Sequence, residues 1–158
     1  MSFRWYGFPT ADADDDVEVA TSAFVQALSI ETGRLWNPYN LAMVKAEFRK
    51  RLAAAREGRL VPVDEVKPVD IANPPPLYEI RWQGVTVTNR DPSGKTRYDE
   101  VLVRLYHSEP DILPLHFIGH HIHEKSVGGL VYAEQNAEIA IAKRFYDAGE
   151  PQNWGVIP

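Results

Sequence analysis

A helical period in the first third of the chain and a two-residue period in its second half predict an α+β fold. The architecture expected is a small antiparallel sheet with two N-terminal helices on one face and a C-terminal helix. Short turn signals between the alternating segments make the sheet a meander, since antiparallel neighbours need only tight connections. With 158 residues, 44% hydrophobic and 25% charged, residues 1–158 read as one globular domain.

Phe3 to Phe8 is short and aromatic and stops at Pro9, so it reads as a first strand. Val17, Ala20, Phe24, Ala27 and Leu28 recur at three and four and predict a helix, with Asp15 or Asp16 as its cap. The run Asp14-Asp15-Asp16, with Asp12 beside it, is expected to be a solvated helix start. Thr32-Gly33 breaks this helix, and Asn37-Pro38 starts another, because proline suits a first turn. Leu41, Val44, Phe48, Leu52 and Ala55 form its apolar stripe, and Gly58 ends it. Five prolines between Leu60 and Pro76 exclude regular helix or a central strand, leaving an extended connection.

From Leu77 the period becomes two, with Tyr78, Ile80 and Trp82 against Glu79, Arg81 and Gln83. Gly84 to Thr88 continues or re-enters the strand, and Arg90-Asp91-Pro92-Ser93-Gly94-Lys95 is a turn. Tyr98 to His107 is the next strand, Glu109-Pro110-Asp111 turns the chain, and Ile112 to His121 is a further strand with Leu113, Leu115 and Phe117 on one face. Gly128-Gly129 makes a loop, and Ala133 to Asp147 is the last helix, apolar at Ile139, Ile141, Ala142 and Phe145.

Composition removes several classes of function. No cysteine is present, so disulfides, thiolate metal sites and thiol chemistry are excluded, and a reducing cytoplasm is compatible. No apolar run approaches the roughly 20 residues of a membrane span, and the N-terminus lacks the basic and apolar regions of a secretory signal. There are 17 basic and 22 acidic residues, a net charge of −5, so any nucleic-acid role needs a local cationic site. The phosphate-loop, dinucleotide, nucleophile-elbow and zinc-protease motifs are absent.

Alternation also assigns faces. If Ile80, Val103, Leu115 and Phe117 point inward, the other face carries Glu79, Arg81, Arg104, Tyr106, His116 and His120. Such a face is either a sheet surface half covered by a helix, with Arg81 paired to Glu79 or Glu100, or an anion site clamped by arginines. Arg104, flanked by Val103 and Leu105, is expected to face solvent and add about 1 kcal/mol or less to stability. His121 and His123 share a face and suit a metal, but His116 and His120 lie opposite them, so no structural metal is expected. A histidine near its ordinary pKa is also a natural proton shuttle.

Taken in order, Val66-Lys67-Pro68, Leu77-Tyr78-Glu79-Ile80-Arg81, Val103-Arg104-Leu105-Tyr106 and Leu115-His116-Phe117-Ile118-Gly119-His120, followed by a helix, carry a resemblance. They resemble the RelE/ParE superfamily of bacterial toxins, especially its HigB-like, phage-derived branch. The resemblance covers residues 66–147 best. It implies a ribonuclease that cuts mRNA, usually on the ribosome, by attack of a ribose 2′-hydroxyl on the adjacent phosphate, with no metal or other cofactor. It also implies a cytoplasmic location and a cognate antitoxin as partner, and a homo-oligomer is compatible with it. Carried over by position, the catalytic set is Arg81, Arg104, His120, His121 and Tyr132. The RNA-phosphate set is Lys67, Arg81, Arg104, Tyr106, His116 and Lys125. Glu79 stands where some ribonuclease members have a second base. The alternatives are a catalytically inert or gyrase-directed member acting by protein binding, and a metal-binding β protein using His121 and His123.

Overall fold

The computed structural model describes the chain except residues 11–14, 63, 70–75 and 126–130 and the side chains of Val131 and Tyr132. Asp12, Asp14, Pro74, Pro75, the Gly128-Gly129 loop and the Tyr132 side chain therefore lie outside the described residues. The element order is β1 (Ser2–Trp5), α1 (Asp16–Leu28), α2 (Pro38–Arg56), β2 (Val66–Pro68), β3 (Tyr78–Arg90), β4 (Thr96–Ser108), β5 (His116–Glu124), α3 (Val131–Gly149) and a 3-10 turn (Glu150–Gly155). This is an α+β arrangement with two N-terminal helices and one C-terminal helix. No helix among the described residues is long and apolar enough to cross a membrane.

The sheet order is β1-β5-β4-β3-β2. The β2–β3, β3–β4 and β4–β5 pairs are antiparallel, but β1 joins β5 in parallel, so the sheet is mixed rather than wholly antiparallel. β5 is the outer strand of the meander, and β1 closes on it through Ser2 N–H to Leu115 O at 2.7 Å and Tyr6 N–H to Gly119 O at 2.8 Å.

α1 and α2 cover one face. Asn37 caps α2, accepting from the Tyr39 and Asn40 N–H groups while the Asn40 side chain accepts from Asn37 N–H. Val44, Phe48, Leu52 and Ala55 are buried, as the helical period requires. Phe24 stacks on Phe48 with ring centroids 4.7 Å apart, and Trp82 meets Phe48 edge-on at 5.3 Å. Neither aspartate at the start of α1 caps it by a side chain. Asp16 instead turns inward, accepting from Trp5 N–H at 2.8 Å and pairing with Arg4 at 3.1 Å, so it is buried rather than solvated. Burial raises its carboxyl above the ordinary range despite the Trp5 N–H and the Arg4 charge.

α3 covers the opposite face, where Ile139 and Ala142 pack with Leu77, Val69 and Tyr106. A smaller cluster of Leu113, Ile118 and Trp154 lies under the 3-10 turn.

Three departures from strict alternation shape the site. In β3 the register shifts between Trp82 and Val85, where Gly84 has φ +66°, and this keeps Ile80, Trp82, Val85 and Val87 all in the helix-covered core. The expected strand over Ile112 to His121 begins later, at His116. Pro114 offers no N–H to a ladder, Leu115 has φ +73° and is 75% exposed, and of the preceding apolar residues only Leu113 is buried. In β5, Tyr106 pairs with His121 but His107 with Gly119, so His120 is the extra residue of a bulge.

Candidate active site

The β5 bulge removes the expected division of the histidines between two faces. Phe117 and Ile122, at odd and even positions, both enter the α1–α2 core. Ile118, His120, His121 and His123 all lie on the α3 side, where they meet Trp154, Tyr146 and Glu138. His121 and His123 are therefore on the same face as Arg81 and Arg104, not opposite it.

Cross-strand register then assembles two adjacent rungs. One reads Lys67 on β2, Glu79 on β3, Tyr106 on β4 and His121 on β5. The next reads Arg81, Arg104 and His123 across β3, β4 and β5. The carboxylate of Glu79, 1% exposed, sits among three cations: Arg81 Nε at 2.8 Å, Arg104 Nη1 at 3.0 Å and Lys67 Nζ at 3.4 Å. Two guanidiniums directly opposed on a sheet repel, and the carboxylate between them makes that pairing tenable. Three cations surround the one Glu79 carboxylate, while Glu124, Glu134 and Glu138 lie beside Arg104 and Lys125, so cationic and acidic side chains are interleaved on this face.

The rings of Tyr106, His121 and His123 are nearly parallel, with interplanar angles of 5° to 9°. Tyr106 Oη lies 3.2 Å from His123 Nε2, and His123 Nδ1 lies 3.1 Å from Glu124 O. A carbonyl can only accept, so Nδ1–H donates to it and Nε2 accepts the Tyr106 hydroxyl proton. Burial pushes Tyr106 up to about 12, helped by the Glu79 charge and opposed by Arg104, so the phenol keeps its proton. Burial likewise pulls His123 down to about 4, so its ring is neutral at pH 7. His121 Nε2 bonds Glu138 of α3, and that bond holds the Glu138 carboxyl below the usual carboxylate range. At the N-terminal end of α3, Arg104, His123, Glu124, Lys125, Glu134, Gln135 and Glu138 line a cavity of about 90 Å³.

The sequence-predicted residues separate into groups. Lys67, Arg81, Arg104, Tyr106 and His121 are brought together. Lys67 and Arg81 keep 35% and 26% of their side-chain surface, whereas Arg104 is buried rather than solvent-facing, because α3 lies over it. Lys125 borders the α3 cavity. His120 does not join the array: it is fully buried, Nδ1–H donates to Tyr6 O at 3.2 Å, and Nε2 accepts from Ser108 Oγ at 2.8 Å. Burial lowers it to about 3, so it is a neutral structural ring packed against Tyr146 and Trp154. His116 opens β5 opposite Ser2, at the other end of the strand from His123. The Tyr132 side chain lies outside the described residues.

Sequence reasoning gave His123 only a metal-ligand role, on the face opposite Arg104, and did not name Glu138. The true face of His123 could have been found, since apolar Phe117 and Ile122 at mismatched parity signal a bulge between them. Glu138 had no such signal, as nothing in helix periodicity says which strand residue it faces. Among the described residues, no group of three His, Asp or Glu side chains is placed to hold a metal.

No family model, no curated protein and no solved structure matches this chain.

Proposed function

We propose that the protein is a metal-independent, toxin-like ribonuclease of the RelE/HigB type, acting on mRNA in the cytoplasm and restrained by a cognate antitoxin. The observation that carries this reading is the two-rung array, which puts fixed cations, a phenol and two imidazoles on one sheet face of an acidic protein. In this reading Lys67 and Arg81, the exposed members, bind the RNA phosphate. His121, oriented by Glu138, takes the proton of the ribose 2′-hydroxyl as that oxygen attacks phosphorus. The P–O5′ bond breaks, leaving a 2′,3′-cyclic phosphate and a 5′-hydroxyl that takes its proton from solvent water, to which His121 returns the proton it accepted. Arg104, fixed by Glu79, supplies positive potential to the charge developing on the phosphoryl oxygens.

One observation favours a second reading, an inert member acting through protein contacts: Glu79, Arg104 and Tyr106 are sealed beneath α3. Induced expression separates the two. Growth arrest with new mRNA ends, lost in both Arg81→Ala and His121→Ala while the circular dichroism melts persist, supports the ribonuclease. Arrest with intact mRNA in the parent overturns it in favour of protein binding.

A further inference from the structure

α2 carries a second stripe besides the buried one. Val44, Phe48, Leu52 and Ala55 face the core, but Tyr39, Met43, Ala46 and Lys50 are exposed, Tyr39 by 74% and Met43 by 56%. At about 100° per residue these four positions fall within about 60° of one another, so they form one ridge. The ridge borders a groove of about 760 Å³ between α2 and the β3–β4 ribbon, whose far wall includes Thr88 and Tyr98, partners across the ladder. Two hydrogen bonds hold α2 along β3 and so fix the groove. Leu35 N–H donates to Thr88 O at 2.8 Å before the helix starts, and Arg51 Nη2 donates to Gln83 O at 2.9 Å in its second half. Tyr98 is 75% exposed, so among the described residues nothing covers either wall. Every lining residue is described, and along the chain none adjoins a segment outside the described residues. Exposed Tyr and Met side by side along a groove have the composition of an interface core rather than of a solvated helix face.

We propose that this face pairs two copies of the chain, α2 against α2, antiparallel about a two-fold axis. The ridge is its own complement. With the axis level with the midpoint between residues 44 and 45, Tyr39 lies opposite Lys50 of the second copy and Met43 opposite Ala46 of that copy, and the two-fold repeats both pairings. Met43 against Ala46 sets a long side chain against a short one, the fit that lets helix ridges interdigitate. Tyr39 against Lys50 sets a ring face under an ammonium. Glu47 is already held by Arg51 at 2.7 Å, and Lys50 has no acidic partner among the described residues, so its charge is available to the ring. A parallel pair would instead bring Lys50 to Lys50 and set like charges together.

Sedimentation equilibrium of the full chain between about 1 µM and about 1 mM tests the pairing. The expected result is one monomer–dimer equilibrium. Ala46→Glu sets an unpaired carboxylate against Met43 twice per dimer and should raise the dissociation constant by about a hundredfold or more. Its circular dichroism spectrum should match the parent's, because position 46 is exposed in the monomer. The chain has no cysteine, so introduced thiols report the register. Tyr39→Cys and Lys50→Cys should form an interchain disulfide when mixed and none when alone, since each position lies about 16 Å along the axis from its own symmetry mate. A monomer throughout that range, a dimer that Ala46→Glu leaves intact, or a disulfide in either variant alone overturns the pairing. The pairing does not rest on the ribonuclease reading. RNA cleavage by a strict monomer removes the pairing and keeps the ribonuclease, and a dimer with intact RNA does the reverse.

Discussion

Replacing Arg104 by alanine removes a buried guanidinium from a carboxylate that is itself 1% exposed. Breaking a buried pair typically costs about 3–5 kcal/mol when the remaining charge is uncompensated. Here Glu79 retains Arg81 at 2.8 Å and Lys67 at 3.4 Å, and loss of Arg104 also relieves its repulsion with Arg81. The expected cost is therefore about 2–3 kcal/mol, near or below the bottom of that range. For a chain of this length it lowers Tm by roughly 4–12 °C. Glu79→Gln should be worse, about 3–5 kcal/mol, because it strands three cations at once. The double variant Glu79→Gln/Arg104→Met should cost clearly less than the sum of Glu79→Gln and Arg104→Met, with a coupling of about 1–3 kcal/mol. Urea denaturation of the four proteins of this cycle and of Arg104→Ala, all at pH 7, supplies the measurements. If Arg104→Ala unfolds within about 0.5 kcal/mol of the parent and the cycle shows no coupling, Arg104 is not enclosed between Glu79 and α3. The expectation of a solvent-facing arginine would then be restored.

Stability should fall with acid because His123 and His120 are held neutral at about 4 and about 3, against about 6.5 in the unfolded chain. The unfolded state binds more protons in that window, so their contribution is complete above about pH 6.5 and declines as pH falls toward 4. Glu138, whose pKa is lowered, adds a loss at still lower pH. Thermal melts between about pH 4 and 8 should show a slope that His123→Gln flattens; identical slopes would contradict the buried neutral ring. Gly149→Ala drives a Cβ into the Trp154 ring, so it should displace that buried indole at a cost of about 1–3 kcal/mol, read as a shift in tryptophan fluorescence and a lower melt. Asn37→Ala removes both capping bonds at α2 and should cost about 1 kcal/mol in urea denaturation, with native fluorescence retained.

Much of this molecule was legible one residue at a time. The period of three and four placed α1 and α2, Asn37-Pro38 marked the start of α2, and the change to period two after Leu77 located β3 and β4. These features depend on neighbours a few residues away, and local sterics and hydrogen bonding decide them. The shared face of Arg81 and Arg104 followed from the same alternation. The parallel seat of β1 on β5 did not, because either edge of a meander offers unpaired backbone groups and the choice depends on packing across the chain. Nor did the burial of Arg104: alternation says which side a residue faces but not what covers that side, and α3 arrives from residues 131–149. The β5 bulge matters most. One extra residue moves every later side chain to the other face, and it put His121 and His123 beside Arg104 while closing His120 away among Tyr6, Tyr146 and Trp154. Which of five histidines can meet a substrate was settled by long-range register and by the helix packed over it, and neither is encoded in the spacing of the histidines themselves.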